Sequence, residues 1–307
     1  DDPRSALVAA LSQLALALQA GNPTRLRRQT SWWGRLLGRD VERQADADAL
    51  QAQCGVLLLK AQAHARLLGA ELTEVPLRED QSVDFDALIA ALGPASGPTA
   101  RGVIYLPRPH APTGSLCSLG DVERLALASQ GWLLVIDEAY HHFMDSEDAR
   151  ALARRHPHVV LLRTLSKAWG LAGLRMGYAL TSDGVARQLR KLVPPFGVSV
   201  LQTVCTLVAL EHPGYVQARV AHTLRERERL FLALQRHPSW QPMPSHANFL
   251  LVRTPDAAQA HAQLLAGGVL VRRQDSLPGL HGCLRVTVGT TEENDAFLRA
   301  AGLGSAQ

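Results

Sequence analysis

The sequence predicts an α/β protein: a large domain on an open, mostly parallel sheet, with a smaller α/β domain at the C-terminal end. Three observations carry this expectation. The apolar runs Val103–Leu106, Trp132–Ile136 and Val159–Leu162 read as strands covered on both faces. Helical patterns separate these runs, as in βαβ units. Two of the runs empty into chemistry, Asp137-Glu-Ala-Tyr140 after one and Ser166-Lys167 after the other. In open α/β sheets, ligands sit beyond the carboxyl ends of the strands.

In chain order, residues 5–19 are rich in Ala and Leu and read as a helix that stops near Gly21 and Pro23. The pair Trp32 and Trp33 follows in an arginine-rich segment. It reads either as a basic nucleic-acid patch or as a solvated helix face with two anchoring tryptophans. Residues 46–68 are helical, with Gly69 as C-cap; 71–77 read as a short strand and 84–92 as a helix. After the Val103–Leu106 strand, Pro107, Pro109, Pro112 and Gly114 make an irregular turn. Helices are expected over 119–129 and 147–155, and another strand over Gly177–Leu180. Residues 198–236 read as helical, interrupted at His212-Pro213-Gly214. The last part has strands near 248–252, 268–272 and 283–288 and helices near 256–266 and 291–301. No internal repeat or low-complexity tract is present.

Composition narrows the class. The 307 residues are 47% hydrophobic with a mean hydropathy of −0.02, an ordinary globular balance able to fill one large core or two. A net charge of +4 suits anionic small substrates without implying nucleic acid. Cys54, Cys117, Cys205 and Cys283 lie far apart, which fits a reduced protein without structural zinc. Asp1, Asp2 and Arg4 precede an amphipathic helix, unlike a signal peptide, and no apolar run reaches the roughly 20 residues of a membrane span. A cytoplasmic protein with no membrane partner is expected.

Lysine is scarce: Lys60, Lys167 and Lys191 are the only three. Lys167 stands among small and apolar neighbours, where desolvation favours the neutral, nucleophilic amine needed for a Schiff base. A loop lysine snorkelling to solvent is the bland alternative. Asp137, taken alone, is equally a helix N-cap or a salt-bridge partner. Taken with Lys167 and Arg175, it suggests pyridoxal 5'-phosphate, which needs a lysine, an acid against its ring nitrogen and donors for its phosphate. Tyr140 can donate to the ring oxygen, and Thr164, Ser166 and Arg175 can hold the phosphate.

Asp137-Glu-Ala-Tyr and Thr164-Leu-Ser-Lys-Ala-Trp-Gly-Leu-Ala-Gly-Leu-Arg-Met-Gly-Tyr178 resemble the fold-type I aminotransferases, within them the histidinol-phosphate aminotransferase branch. The similarity runs from about Gly69 to the C-terminus and includes Ala70–Leu77, Pro244–Phe249 and Leu284–Thr290. The resemblance implies that Lys167 carries the cofactor, Asp137 faces its ring nitrogen and Tyr140 its ring oxygen, with Thr164, Ser166 and Arg175 on the phosphate. It implies further that Arg285 clamps the substrate carboxylate, that Asn248 orients the substrate and that Arg272 meets a substrate phosphate. The implied reaction moves an amino group between an amino acid or amino phosphate ester and a 2-oxo acid. Lys167 then moves the proton at the substrate α-carbon. The implied architecture is a homodimer, each chain with a large domain over 29–212 and a small domain from 1–28 and 213–307.

The departures leave other readings open. The family turn Asn-Pro-Asn-Asn-Pro-Thr-Gly is here Arg108-Pro-His-Ala-Pro-Thr-Gly114, so Ala111 replaces the asparagine that bonds the ring oxygen. The family's glycine turn for the phosphate is represented only by Gln44-Ala-Asp-Ala-Asp48, and no counterpart of the stacking aromatic is evident. All four tyrosines, Tyr105, Tyr140, Tyr178 and Tyr215, lie beyond residue 100. A degenerate scaffold with weak or no cofactor binding is one alternative; a decarboxylase or lyase on the same fold is another. The lost glycine turn, stacking ring and asparagine are expected to weaken non-covalent cofactor binding.

Overall fold

A computed structural model of the chain describes residues 70–93, 102–195 and 197–304. The chain divides into two compact units, Asp1–Thr73 and Glu74–Gln307. Every element below belongs to the second unit. The helices expected over 5–19 and 46–68, Trp32, Trp33 and the Gln44–Asp48 stretch lie outside the described residues.

The first sheet has the order β1 (Val103–Pro107), β2 (Leu133–Asp137), β3 (Val159–Thr164), β4 (Gly177–Leu180). The first three pair in parallel and β4 closes the edge antiparallel. Side chains alternate between the faces of a strand. Ile104, Leu106, Leu134, Ile136, Val159 and Leu161 therefore point to one face, where they form a core with Phe85, Val122, Leu125 and Leu152. Those partners come from α1 (Phe85–Ala90), α2 (Leu119–Ala128) and α3 (Arg150–Arg155). Asp84 and Ser118 cap α1 and α2 by accepting from Ala87 N and Asp121 N.

The helices α4 (Asp183–Arg190), α5 (Val200–Leu210) and α6 (Pro213–Leu234) follow. The second sheet, all antiparallel, has the order β5 (Gln241–Pro242), β6 (Phe249–Arg253), β8 (Cys283–Thr287), β7 (Arg272–Arg273). It packs a separate core, including Leu250, Val252, Leu284 and Val286, against α6, α7 (Ala257–Ala266) and α8 (Thr291–Ala300).

Three expectations are corrected. Residues 71–77 form no strand; they run mostly exposed, and Pro76 in their midst offers no backbone N–H to a ladder. The 268–272 strand is only Arg272–Arg273, and α3 begins three residues later than expected. Helix α4 was not foreseen, although Ser182 caps it by accepting from Val185 N.

Candidate active site

Because β2 and β3 are parallel neighbours, their carboxyl ends deliver Asp137 and the Lys167 loop to the same edge of the sheet. Asp137 Oδ1 accepts from Ala139 N at 2.9 Å, and its Oδ2 accepts from the Tyr105 hydroxyl. Tyr105 stands on β1, on the face opposite the helical core. Burial of the phenol, then the Asp137 charge, push its pKa above the ordinary tyrosine value, so it stays a donor.

Past Asp137 the chain turns through Tyr140 into a short 3-10 turn, His141–Phe143. Tyr140 is buried, edge-on to Phe249 of β6 with ring centroids 5.3 Å apart. Lys167 Nζ lies 5.1 Å from the Tyr140 ring centroid. From β8, Arg285 Nη2 donates to the Tyr140 hydroxyl at 3.1 Å, while its guanidinium carbon sits 3.9 Å from the Phe249 ring centroid. Burial alone would raise the Tyr140 pKa; the Arg285 and Lys167 charges outweigh it and hold the phenol below its ordinary value. The structure thus brings Lys167, Tyr140 and Arg285 together from three separate segments, with Asp137 at the base of the Tyr140 turn.

The other predicted residues are placed less closely. Thr164 Oγ1 donates to Met176 O at 3.3 Å and accepts from Ser166 N at 3.0 Å, so its hydroxyl shapes the lysine loop. Arg175 has left-handed backbone (φ 52°), is exposed, and donates from Nη1 to Ala172 O at 3.3 Å. Asn248 precedes β6, and its buried Oδ1 has no hydrogen-bond partner among the described residues. Arg272 faces Arg285 directly across the β7–β8 pairing. Ala111 packs against the cluster formed by Tyr140, Phe143, Ala168, Val216, Ala247 and Phe249.

Sequence reasoning missed a buried ion network beneath the site. Period-2 alternation sends Asp137 to the crevice and Glu138 to the opposite face. Glu138 is fully buried and accepts from Arg163 Nη2 at 2.7 Å and from Ala149 N at 2.8 Å. Arg108, only 1% exposed, lies 3.7 Å from Glu138. It also donates to Cys117 O, Glu147 O and Ser146 Oγ. Arg163 pairs with Asp148 as well, at 3.0 Å. Arg108 opens the divergent turn, so the departure from the family motif carries a structural role.

Comparison with known proteins bears on this geometry. A sequence model of the family "Aminotransferase class I and II" matches residues 61–300. The chain belongs to the class I and II aminotransferases. Relatives include the histidinol-phosphate aminotransferases of Deinococcus radiodurans, 47% identical over 77% of this chain and 64% of the relative, and of Methylibium petroleiphilum, 42% identical over 77% and 63%. The chain therefore spans somewhat less than two thirds of the length of these curated relatives. Among solved structures, histidinol-phosphate aminotransferase from Sinorhizobium meliloti in complex with pyridoxal-5'-phosphate matches with a TM-score of 0.69 and 30% identity, covering 80% of this chain and 66% of that one. L-threonine-O-3-phosphate decarboxylase from Porphyromonas gingivalis shares the fold at a TM-score of 0.66 and 22% identity. For an aminotransferase of this family, the cluster of Lys167, Asp137, Tyr140 and Arg285 is the natural candidate for the reacting centre.

Proposed function

We propose that the protein is a pyridoxal-phosphate-dependent aminotransferase acting on an amino acid or an amino phosphate ester of the histidinol-phosphate kind, with a 2-oxo acid as acceptor. The observation that carries this reading is the convergence of Lys167, Tyr140 and Arg285 at the sheet edge where Asp137 ends β2. The residues present fit the cofactor: a lysine beside a phenol of lowered pKa, a carboxylate on the adjoining strand end, and a buried Asn248 oxygen without a hydrogen-bond partner among the described residues. When bound, the cofactor supplies an electron sink for the substrate's α-carbon.

Each residue has a role in that reading. Lys167 Nζ holds the cofactor and, once released, moves the proton at the substrate α-carbon. Asp137, fixed by Ala139 N and Tyr105, keeps a proton on the ring nitrogen. Tyr140 donates to the ring oxygen; Arg285 already occupies one acceptor site of its hydroxyl and leaves the hydroxyl proton available. Ser166, Thr164 and Arg175 take the phosphate side. The planar Arg285 guanidinium receives the substrate carboxylate bidentately. Arg272, opposite Arg285 across the β7–β8 pairing, is assigned to a substrate phosphate.

We also infer the division into a large domain over 29–212 and a small domain from 1–28 and 213–307; the separate cores of the two sheets support it for the described residues, and 1–69 lie outside them. A homodimer is supported by α5, which buries none of its residues and leaves Val200 and Leu201 81% and 69% exposed. Free thiols at Cys117, Cys205 and Cys283 support a reducing, cytoplasmic setting. No described helix is long and apolar enough to cross a membrane.

The function is tested by incubating the cofactor-loaded protein with histidinol phosphate and 2-oxoglutarate and measuring glutamate. Glutamate formation is expected. Release of carbon dioxide from amino-acid substrates without amino transfer would favour the decarboxylase reading, and no turnover would favour the scaffold.

A further inference from the structure

The two halves of the site come from different sheets, and besides the Arg285–Tyr140 and Tyr140–Phe249 contacts a further side chain ties their backbones together. Helix α6 runs along both. Its residues Val216, Val220 and Leu224 pack on Tyr140, Phe143, Ala247 and Phe249. The next position on that face is Arg227, since 216, 220, 224 and 227 follow helical spacing. Arg227 Nη1 donates to Phe143 O at 3.0 Å and to Ala247 O at 2.9 Å. Phe143 ends the 3-10 turn that begins after Tyr140, and Phe143 N donates to Tyr140 O at 2.9 Å. Ala247 immediately precedes Asn248.

On its other side α6 is tied to the second sheet's helices. Buried Glu226 accepts from Asn294 Nδ2 at 2.6 Å, and Arg229 donates to Asp295 at 2.7 Å. Near the clasp, the divergent turn meets the same loop: His246 N donates to Gly114 O at 2.8 Å. A Cβ on Gly114 (φ +80°) would stand 2.3 Å from Ser245 Oγ. The backbones of the two loops are thus held together by the His246–Gly114 bond and by the Arg227 guanidinium.

We propose that Arg227 is a positioning residue that fixes the Tyr140 turn to the Asn248 strand and thereby sets the Tyr140–Arg285 contact across which a carboxylate substrate is held. This rests on the aminotransferase reading for its substrate, but the clasp itself does not depend on it. A guanidinium suits the task because its rigid fork reaches two carbonyls at once, whereas an ammonium has no fixed geometry for both. Small displacements of aligned groups are costly: about 1 Å can lose 100-fold in rate.

The test uses the 307-residue chain with Arg227→Met, Arg227→Lys, and Arg225→Met as a control on the exposed side of α6. Hydrogen exchange, followed without added cofactor, is expected to speed about tenfold or more at 141–144 and 246–249 in Arg227→Met, less in Arg227→Lys and not in Arg225→Met. Tyrosinate absorbance near 295 nm should show the Tyr140 phenol titrating at higher pH as Arg285 draws away, with Lys167 and Tyr105 still facing it. In the loaded enzyme the KM for the carboxylate substrate should rise more than kcat falls. Unchanged exchange and an unchanged Tyr140 titration in Arg227→Met would overturn the proposal. If that variant does not fold, Arg227→Lys decides: exchange identical to wild type overturns it. If the wild type transfers no amino group, the functional reading fails, while exchange and titration still judge the clasp.

Discussion

At the scale of single residues, the site rests on how Asp137 and Tyr140 are held. Asp137 has both oxygens engaged, by Ala139 N and by Tyr105, so its orientation is set before any ligand arrives. In its proposed role, replacing it with asparagine would remove the charge that keeps the cofactor's ring nitrogen protonated. Breaking such a buried pair costs about 3–5 kcal/mol, so Asp137→Asn is expected to lower turnover at least about 100-fold. Near-wild-type turnover would make Asp137 structural. Tyr105→Phe removes one charge-assisted bond, worth about 1.5–3 kcal/mol, and should cost roughly tenfold in turnover while leaving the fold intact. The opposite change is predicted at Ala111, beside Tyr140. Ala111→Asn restores an amide donor and should tighten cofactor binding by about tenfold, since roughly 1.4 kcal/mol is one decade. An unchanged dissociation constant, read by absorbance titration, would show that this position does not face the cofactor.

At the scale of elements, β2 does two jobs because consecutive residues leave a strand on opposite faces. Asp137 goes to the crevice; Glu138 goes under it and meets Arg163 and Arg108. Removing Glu138's charge leaves two guanidinium groups buried without their main partner. Glu138→Gln is expected to destabilise the fold by about 3 kcal/mol, measured by urea unfolding; a loss below about 1 kcal/mol would mean the network is held by its backbone contacts instead. The strands that carry the site were legible because they are continuous apolar runs ending in charge. The role of Arg108 was not, because its partners at 117, 138, 146 and 147 become neighbours only after the sheet and the loop before α3 have folded. Arg227 was hidden for the same reason: two carbonyls leave no mark in a sequence. The 71–77 segment shows the converse error: it reads as a short strand, but Pro76 has no N–H for a ladder and no described strand pairs with it.

At the scale of the whole molecule, the buried histidines make stability depend on pH. Burial lowers His110 to about 4; burial, then the neighbouring charge of His142, lowers His141 to about 3. Their folded pKa values lie below the unfolded value of about 6.5, so the unfolded chain binds more protons and stability falls as pH drops through that window. Asp148 acts lower still. Its burial is outweighed by bonds from Arg150 and Arg163, which hold it at about 2, so its contribution is lost between about pH 4 and 2. Urea midpoints should therefore decline in two stages below pH 6.5, and His110→Gln should flatten the first; a flat profile from pH 7 to 4 would contradict the burial of these rings. The same global view explains what the sequence could reveal of the site. Lys167, Asp137 and Tyr140 lie within 31 residues of one another and share a readable motif pair. Arg285 joins them only through the second sheet, and the resemblance to aminotransferases was what pointed to it. The central claim is that Lys167 is the residue that carries the cofactor, and borohydride reduction of the protein with pyridoxal phosphate, followed by peptide mapping, tests it most directly. The adduct is predicted on Lys167 and absent from Lys167→Ala; an adduct on Lys60 or Lys191 instead, or none at all, would contradict it.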